Sequence, residues 1–119
     1  MNKIFVYGTL KEGGRWHHLI EKATVIGYGK LSGYEMYVLE DGFMPMLKES
    51  PGDAVYGEVY EVNDTTLDRL RQLERQYKEI RANVMVDGMS VNCYVYIYSE
   101  YLAHYKWKRI PSGMFDIKK

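Results

Sequence analysis

The chain has 119 residues, 46% hydrophobic and 27% charged, the composition of one globular domain rather than of a disordered chain. Sixteen basic residues balance sixteen acidic ones, so the basic excess through which nucleic-acid binders release counterions is missing. No apolar run approaches the roughly 18–20 residues that span a bilayer, the opening Met1–Gly8 is too short and too soon broken for a signal peptide, and a single cysteine, Cys93, excludes an internal disulfide framework and a Cys-rich zinc site and suits a reducing cytoplasm.

Lys3–Tyr7 is a short apolar run closed by Gly8 and reads as a buried strand. Lys11-Glu12-Gly13-Gly14 is a loop, and Arg15–Ala23 carries Trp16, Leu19, Ile20 and Ala23 at helical spacing. Thr24–Lys30 and Tyr34–Leu39 are expected as strands split by Ser32-Gly33, and Asp41–Gly52, with two of the three prolines, as a turn-rich stretch. Ala54–Val62 is a Val- and Tyr-rich strand. Asn63 or Asp64 then caps a helix reaching to Gln76, with Leu67, Leu70 and Leu73 as its apolar stripe. Ile80–Val86 and Ser90–Tyr98 flank Asp87-Gly88, a strong hairpin signal. On the second of these strands Val91, Cys93, Val95 and Ile97 share one face, and Asn92, Tyr94, Tyr96 and Tyr98 the other. Trp107 and Phe115 imply that the tail packs on the body. The whole chain, 1–119, reads as a single domain of five or six strands and two helices, an α+β mixed sheet that either closes toward a barrel or stays open.

On the helix, at about 100° per residue, Leu67, Glu74, Leu70, Tyr77 and Leu73 fall within one arc of about 120°. Asp68, Arg69, Arg71, Gln72 and Arg75 fall outside it. One carboxylate is therefore aimed with the leucines while the other charges face water. Held against apolar surface it loses hydration and its pKa rises, which is what a general acid or base near neutrality needs. The bland alternatives are that Glu74 reaches solvent from a frayed helix end or pairs with Arg81.

Other candidates carry less. The glycine turn after Val6 and Tyr7 exposes backbone N–H groups that can hold an anion or a carbonyl oxygen, but it lacks the Gly-Lys-Ser/Thr ending of a phosphate loop. His17 and His18 are adjacent and diverge, so a metal pair is not expected there, and no metal-ligand spacing occurs elsewhere. Gly27-Tyr28-Gly29 lacks the rest of a dinucleotide fingerprint. Cys93, alternating with valines, reads as core. Twelve tyrosines against three phenylalanines suit either a cleft neither dry nor wet or a Tyr-rich sheet surface.

Several segments, in order along nearly the whole chain, resemble the gamma-glutamylcyclotransferase-like family, which includes gamma-glutamylamine cyclotransferases and AIG2-like proteins. They are Val6-Tyr7-Gly8-Thr9-Leu10-Lys11; His18-Leu19; Gly42, Phe43 and Pro45; Val55–Val62; Leu67-Asp68-Arg69-Leu70 followed by Leu73-Glu74; and Trp107, Ile110, Ser112-Gly113 and Phe115. The resemblance implies a small mixed β-barrel with peripheral helices. It implies that Glu74 is the catalytic acid/base and that Tyr7, Gly8, Thr9 and Leu10 hold the glutamyl end of the substrate. The implied reaction is intramolecular closure of a γ-glutamyl amide to 5-oxoproline, a cyclotransferase step needing no metal or organic cofactor. The expected partner is that small molecule, with no nucleic acid or membrane. Three differences from the family pattern bear on substrate identity more than on reaction type. Arg75 follows the glutamate where glycine is usual, Tyr77 is followed by Lys78 and Glu79 with the nearest arginine at Arg81, and Met114 replaces an aspartate. Two non-enzymatic readings stay open: a small-metabolite-binding module on the same fold, and a single-strand nucleic-acid binder stacking bases on Tyr94, Tyr96 and Tyr98.

Overall fold

The computed structural model describes residues 2–42 and 44–117. Its strands are β1 (Asn2–Val6), β2 (Thr24–Leu39), β3 (Pro45–Val62), β4 (Lys78–Val86), β5 (Met89–Ile97) and β6 (Trp107–Ile110), with one α-helix, α1 (Asp64–Leu73), between β3 and β4. The sheet order is β3-β1-β5-β4-β2-β6, and a further pairing of β3 with β2 closes the first five strands into a barrel. All pairings are antiparallel except the seam between β1 and β5, which is parallel at Ile4 and Tyr94. The closed mixed barrel with its outer helix agrees with the sequence-based expectation.

Side-chain alternation explains the barrel interior. Phe5 from β1 and Tyr7 just after it, Leu31 and Met36 from β2, Leu47, Val55 and Val59 from β3, Val84 and Val86 from β4, and Cys93, Val95 and Ile97 from β5 form one buried cluster that Phe115 of the tail completes. Cys93 is thus core, as its alternation implies. The opposite face of β1 is covered too. Ile4 and Val6 pack with Leu10, Ile20, Tyr60 and Val62 under Leu67 and Leu70 of α1. Burial on both faces is why β1 reads as an unbroken apolar run instead of an alternating one.

Local chemistry sets the element boundaries. The Asn63 side chain accepts the Thr66 N–H at 2.8 Å and starts α1. The β4–β5 hairpin turns on Asp87 and Gly88, both left-handed, at φ 50° and 79°. Four expectations change. α1 ends at Leu73 rather than Gln76, with Glu74 as its C-cap. β2 is one strand across Ser32-Gly33, because a register shift there absorbs the break. β3 begins at Pro45, well inside the stretch expected as turns, since Pro45–Glu49 pair with Tyr34–Val38 of β2. Arg15–Ala23 contains only a 3₁₀ turn at His17–Leu19; Trp16, Leu19 and Ala23 are partly buried against the α1 side, as their spacing suggests, without forming an α-helix.

Candidate active site

The length and direction of α1 place the site. At one end, the Asn2 amide of β1 donates to the Asp64 carboxylate at 2.9 Å. From there β1 runs about 17 Å to Tyr7, and α1, lying on the Ile4–Val6 face, runs about 15 Å to its last residue. Strand and helix therefore end together. Glu74 is the C-cap of α1, its N–H donating to Leu70 O at 2.8 Å. The turn after β1 and the cap after α1 line one cavity of about 230 Å³, shared with Arg15, Trp16, Asp41, Pro45, Tyr77 and Tyr96.

Glu74 faces that cavity with no ion pair or side-chain hydrogen bond among the described residues. Burial alone lifts its carboxyl from 4.5 to about 7. The Arg81 alternative is not what occurs. The Arg81 guanidinium donates to Asn92 Oδ1 at 2.7 Å and covers the Tyr94 ring at 4.4 Å. Nor do the other guanidiniums near α1 compensate Glu74: Arg71 pairs with Glu79 at 2.8 Å.

All four turn residues, Tyr7, Gly8, Thr9 and Leu10, line the same cavity. The carbonyls of the last three are engaged. Gly8 O accepts from the Lys11 N–H at 3.0 Å, Thr9 O from the Trp16 N–H at 3.0 Å, and Leu10 O meets His17 Nδ1 at 2.9 Å. The N–H groups of Thr9 and Leu10 find no acceptor among the described residues, which makes them donors for an anion or a carbonyl oxygen. Gly8 is required by close approach: a Cβ there would stand 2.5 Å from Cγ of Pro45. The Tyr7 side chain does not reach for a ligand. It is buried in the barrel and its hydroxyl donates to the Tyr96 carbonyl; burial, then Tyr77 and Glu74, raise its pKa.

Sequence reasoning put Tyr77 in the arc of Glu74 without giving it a task. Its hydroxyl donates to Pro45 O at 2.6 Å, and burial, reinforced by Glu74, raises its pKa. Tyr96 was placed on a face of three exposed rings. Instead Tyr96 is buried, with its hydroxyl on Glu79 at 2.9 Å, Tyr94 lies under Arg71 and Arg81, and Tyr98 lies under Lys48. Strand alternation fixed which side these rings take but not the cations that cover them. Gly42 and Pro45 flank Phe43, which lies outside the described residues. Among the described residues no group of acidic, His and Cys side chains is arranged to hold a metal ion, and no helix is long and apolar enough to cross a membrane.

Residues 4–116 match the family described as Gamma-glutamyl cyclotransferase, AIG2-like. A protein of Methanocaldococcus jannaschii is 32% identical over 107 residues, covering 84% of this chain and 87% of its own. The Bos taurus gamma-glutamylaminecyclotransferase is 31% identical over 121 residues, covering 91% of this chain and 71% of its own. Among solved structures, an AIG2-like protein from Mus musculus superposes with a TM-score of 0.78 at 28% identity, covering 98% of this chain and 88% of that one.

Proposed function

Since the chain belongs to the gamma-glutamyl cyclotransferase, AIG2-like family, we propose that it is a cyclotransferase that closes γ-glutamyl amides to 5-oxoproline with release of an amine or amino acid. The observation that carries this is Glu74, a carboxyl lifted to about 7 by burial and left without a cation, in one cavity with the Thr9 and Leu10 N–H groups.

The α-amine of the substrate attacks its own γ-carbonyl carbon. A carbon–nitrogen bond forms, the carbonyl electrons move onto oxygen, and collapse of that oxyanion expels the amide nitrogen. As the bond forms, the attacking amine nitrogen becomes positively charged; ionised Glu74 takes one proton from it and gives that proton to the leaving nitrogen, so the neutral amine closes to the lactam with no net proton consumed. The reaction is intramolecular, and holding amine and carbonyl in an attack geometry is worth roughly 7–11 kcal/mol of barrier. The free N–H groups of the turn serve either the developing oxyanion or the glutamyl α-carboxylate, and the cavity's apolar lining of Phe5, Val6, Leu10, Leu39 and Leu73 keeps those interactions strong. Tyr96 and Tyr7 supply a rigid wall behind them.

The test is to incubate the purified protein with a panel of γ-glutamyl amides of amines and amino acids. 5-Oxoproline and the free amine are expected in equal amounts. Absence of both across the panel overturns the proposal, and binding without turnover would favour a metabolite-binding module on the same fold.

A further inference from the structure

Cyclotransfer fixes half of the substrate and leaves the departing half open. The cavity contains three charged side chains: Glu74, Asp41 and Arg15. Among the described residues Arg15 is the one cation in its lining, and it has no carboxylate within ion-pair distance. It is exposed, so it stands toward the mouth. Its guanidinium carbon is 5.8 Å from the centre of the Trp16 ring, which lines the same cavity. That contact gives the side chain a platform. The backbone keeps it at the site, because the Trp16 N–H donates to Thr9 O at 3.0 Å and folds the Arg15–Trp16 segment back onto the turn. Asp41 belongs to a different segment, just after β2, so the two opposite charges enter the lining from different parts of the chain.

The geometry of ring closure says what Arg15 faces. In the forming five-membered ring, the α-carboxylate and the leaving nitrogen sit on the two carbons that flank the ring nitrogen, and they diverge. The proton on that nitrogen must be within reach of Glu74, on the inner wall. Of the two tasks open to the Thr9 and Leu10 N–H groups, the α-carboxylate is the one assigned here, because it is the permanent anion of the glutamyl half. The leaving group then points outward, toward the exposed cation.

We propose that Arg15 is a specificity-determining residue that receives a carboxylate on the leaving group, so that the preferred substrates are γ-glutamyl amides of α-amino acids over those of uncharged amines. The inference rests on the cyclotransferase reading. A guanidinium matches a carboxylate through two parallel N–H donors, and the pair is stronger than a neutral hydrogen bond.

The experiment compares γ-glutamyl-alanine with γ-glutamyl-ethylamide, which differ by one carboxylate on the leaving group. Both 5-oxoproline release and calorimetric Kd are measured for the full chain and for Arg15→Ala and Arg15→Lys, with melting temperatures confirming that the variants fold. The wild-type protein is expected to favour γ-glutamyl-alanine in kcat/KM. Arg15→Ala should cut the alanine-to-ethylamide ratio by roughly 10–100-fold, the range of a charge-assisted hydrogen bond, and Arg15→Lys should restore part of it. An equal loss on both compounds, or no wild-type preference, overturns the proposal. If neither these two compounds nor any other member of the γ-glutamyl panel yields 5-oxoproline, the cyclotransferase reading fails by itself. The ratio of the two Kd values then still decides the role of Arg15, and equal values overturn it.

Discussion

The Tyr77 hydroxyl donates to the Pro45 carbonyl at 2.6 Å, and the Pro45 ring is what a side chain at position 8 would strike. This one contact joins the segment after Glu74 to the strand that backs the Gly8 turn. Both residues line the cavity, so the bond ties the segment that carries the carboxyl to the strand against which the turn packs.

Replacing Tyr77 by Phe removes that bond and leaves the Pro45 carbonyl without its partner. Denaturant titration should show a loss of about 1–3 kcal/mol. Because the bond positions Glu74 rather than touching substrate, kcat should fall with it. Undiminished kcat in a destabilised variant would mean that the contact only holds the fold.

Glu74→Gln keeps shape and loses the proton site. The rate of 5-oxoproline release should drop by about 10²–10⁴, with KM changing less than kcat. A folded variant that turns over normally would remove Glu74 from the chemistry.

The pH dependence of rate follows from the lifted carboxyl. With a pKa of about 7, the base form accumulates as pH rises through neutrality, so kcat/KM should climb between pH 6 and 8 with a midpoint near 7. An acid limb near the ordinary carboxylate value, read from a pH–rate profile, would contradict the burial.

Stability responds in the opposite direction. The unfolded carboxyl titrates near 4.5 and the folded one near 7, so between those values the folded state holds a proton that the unfolded state has released. The stability linked to that proton is fully present below pH 4.5 and is lost as pH rises to 7. Glu74→Gln has no such slope. Its stability advantage over the wild type should therefore be greater at pH 8 than at pH 5, by a difference of order 3 kcal/mol, as measured by chemical denaturation at the two pH values.

Gly8→Ala forces a methyl group against the Pro45 ring. Pro45 cannot yield easily, since it pairs with Val38 of β2 and its carbonyl is held by Tyr77. Overpacking of this kind costs roughly 1–3 kcal/mol, and the displaced turn should lower kcat as well. A variant equal to the wild type in melting temperature and turnover would show that the turn has room.

Glu74 could be found in the sequence because one charge sharing an arc with three leucines is a local signal. The α1 cap at Asn63 and the hairpin at Asp87-Gly88 were legible for the same reason, since a side-chain oxygen and a left-handed pair act within a few residues. The start of β3 was not. Proline and glycine in Pro45–Gly52 argue for turns, and only pairing with β2, a contact outside any local window, makes the segment extended. Trp16, Leu19 and Ala23 kept helical spacing because they cover the α1 side of β1, but burial against a partner does not require an α-helix. The cavity walls from Pro45 and Tyr96 were invisible for a related reason. Tyr96 reads as one more ring on a striped face until the barrel closes and places it behind Tyr7.

The parallel seam between β1 and β5 has a consequence for the order in which the chain is made. Tyr7 leaves the ribosome 89 positions before the Tyr96 carbonyl that receives its hydroxyl. Until β5 follows, the barrel lacks the strand that joins β1 to β4, and the cavity lacks the Tyr96 wall. Contacts of such long sequence separation form last because loop closure must come first. The nascent chain can own α1 and its glutamate and still hold that carboxyl in water, at an ordinary proton affinity. The chemical character of Glu74 is thus acquired late in synthesis, with the closing strand, and a chain clipped before β5 loses it together with the barrel.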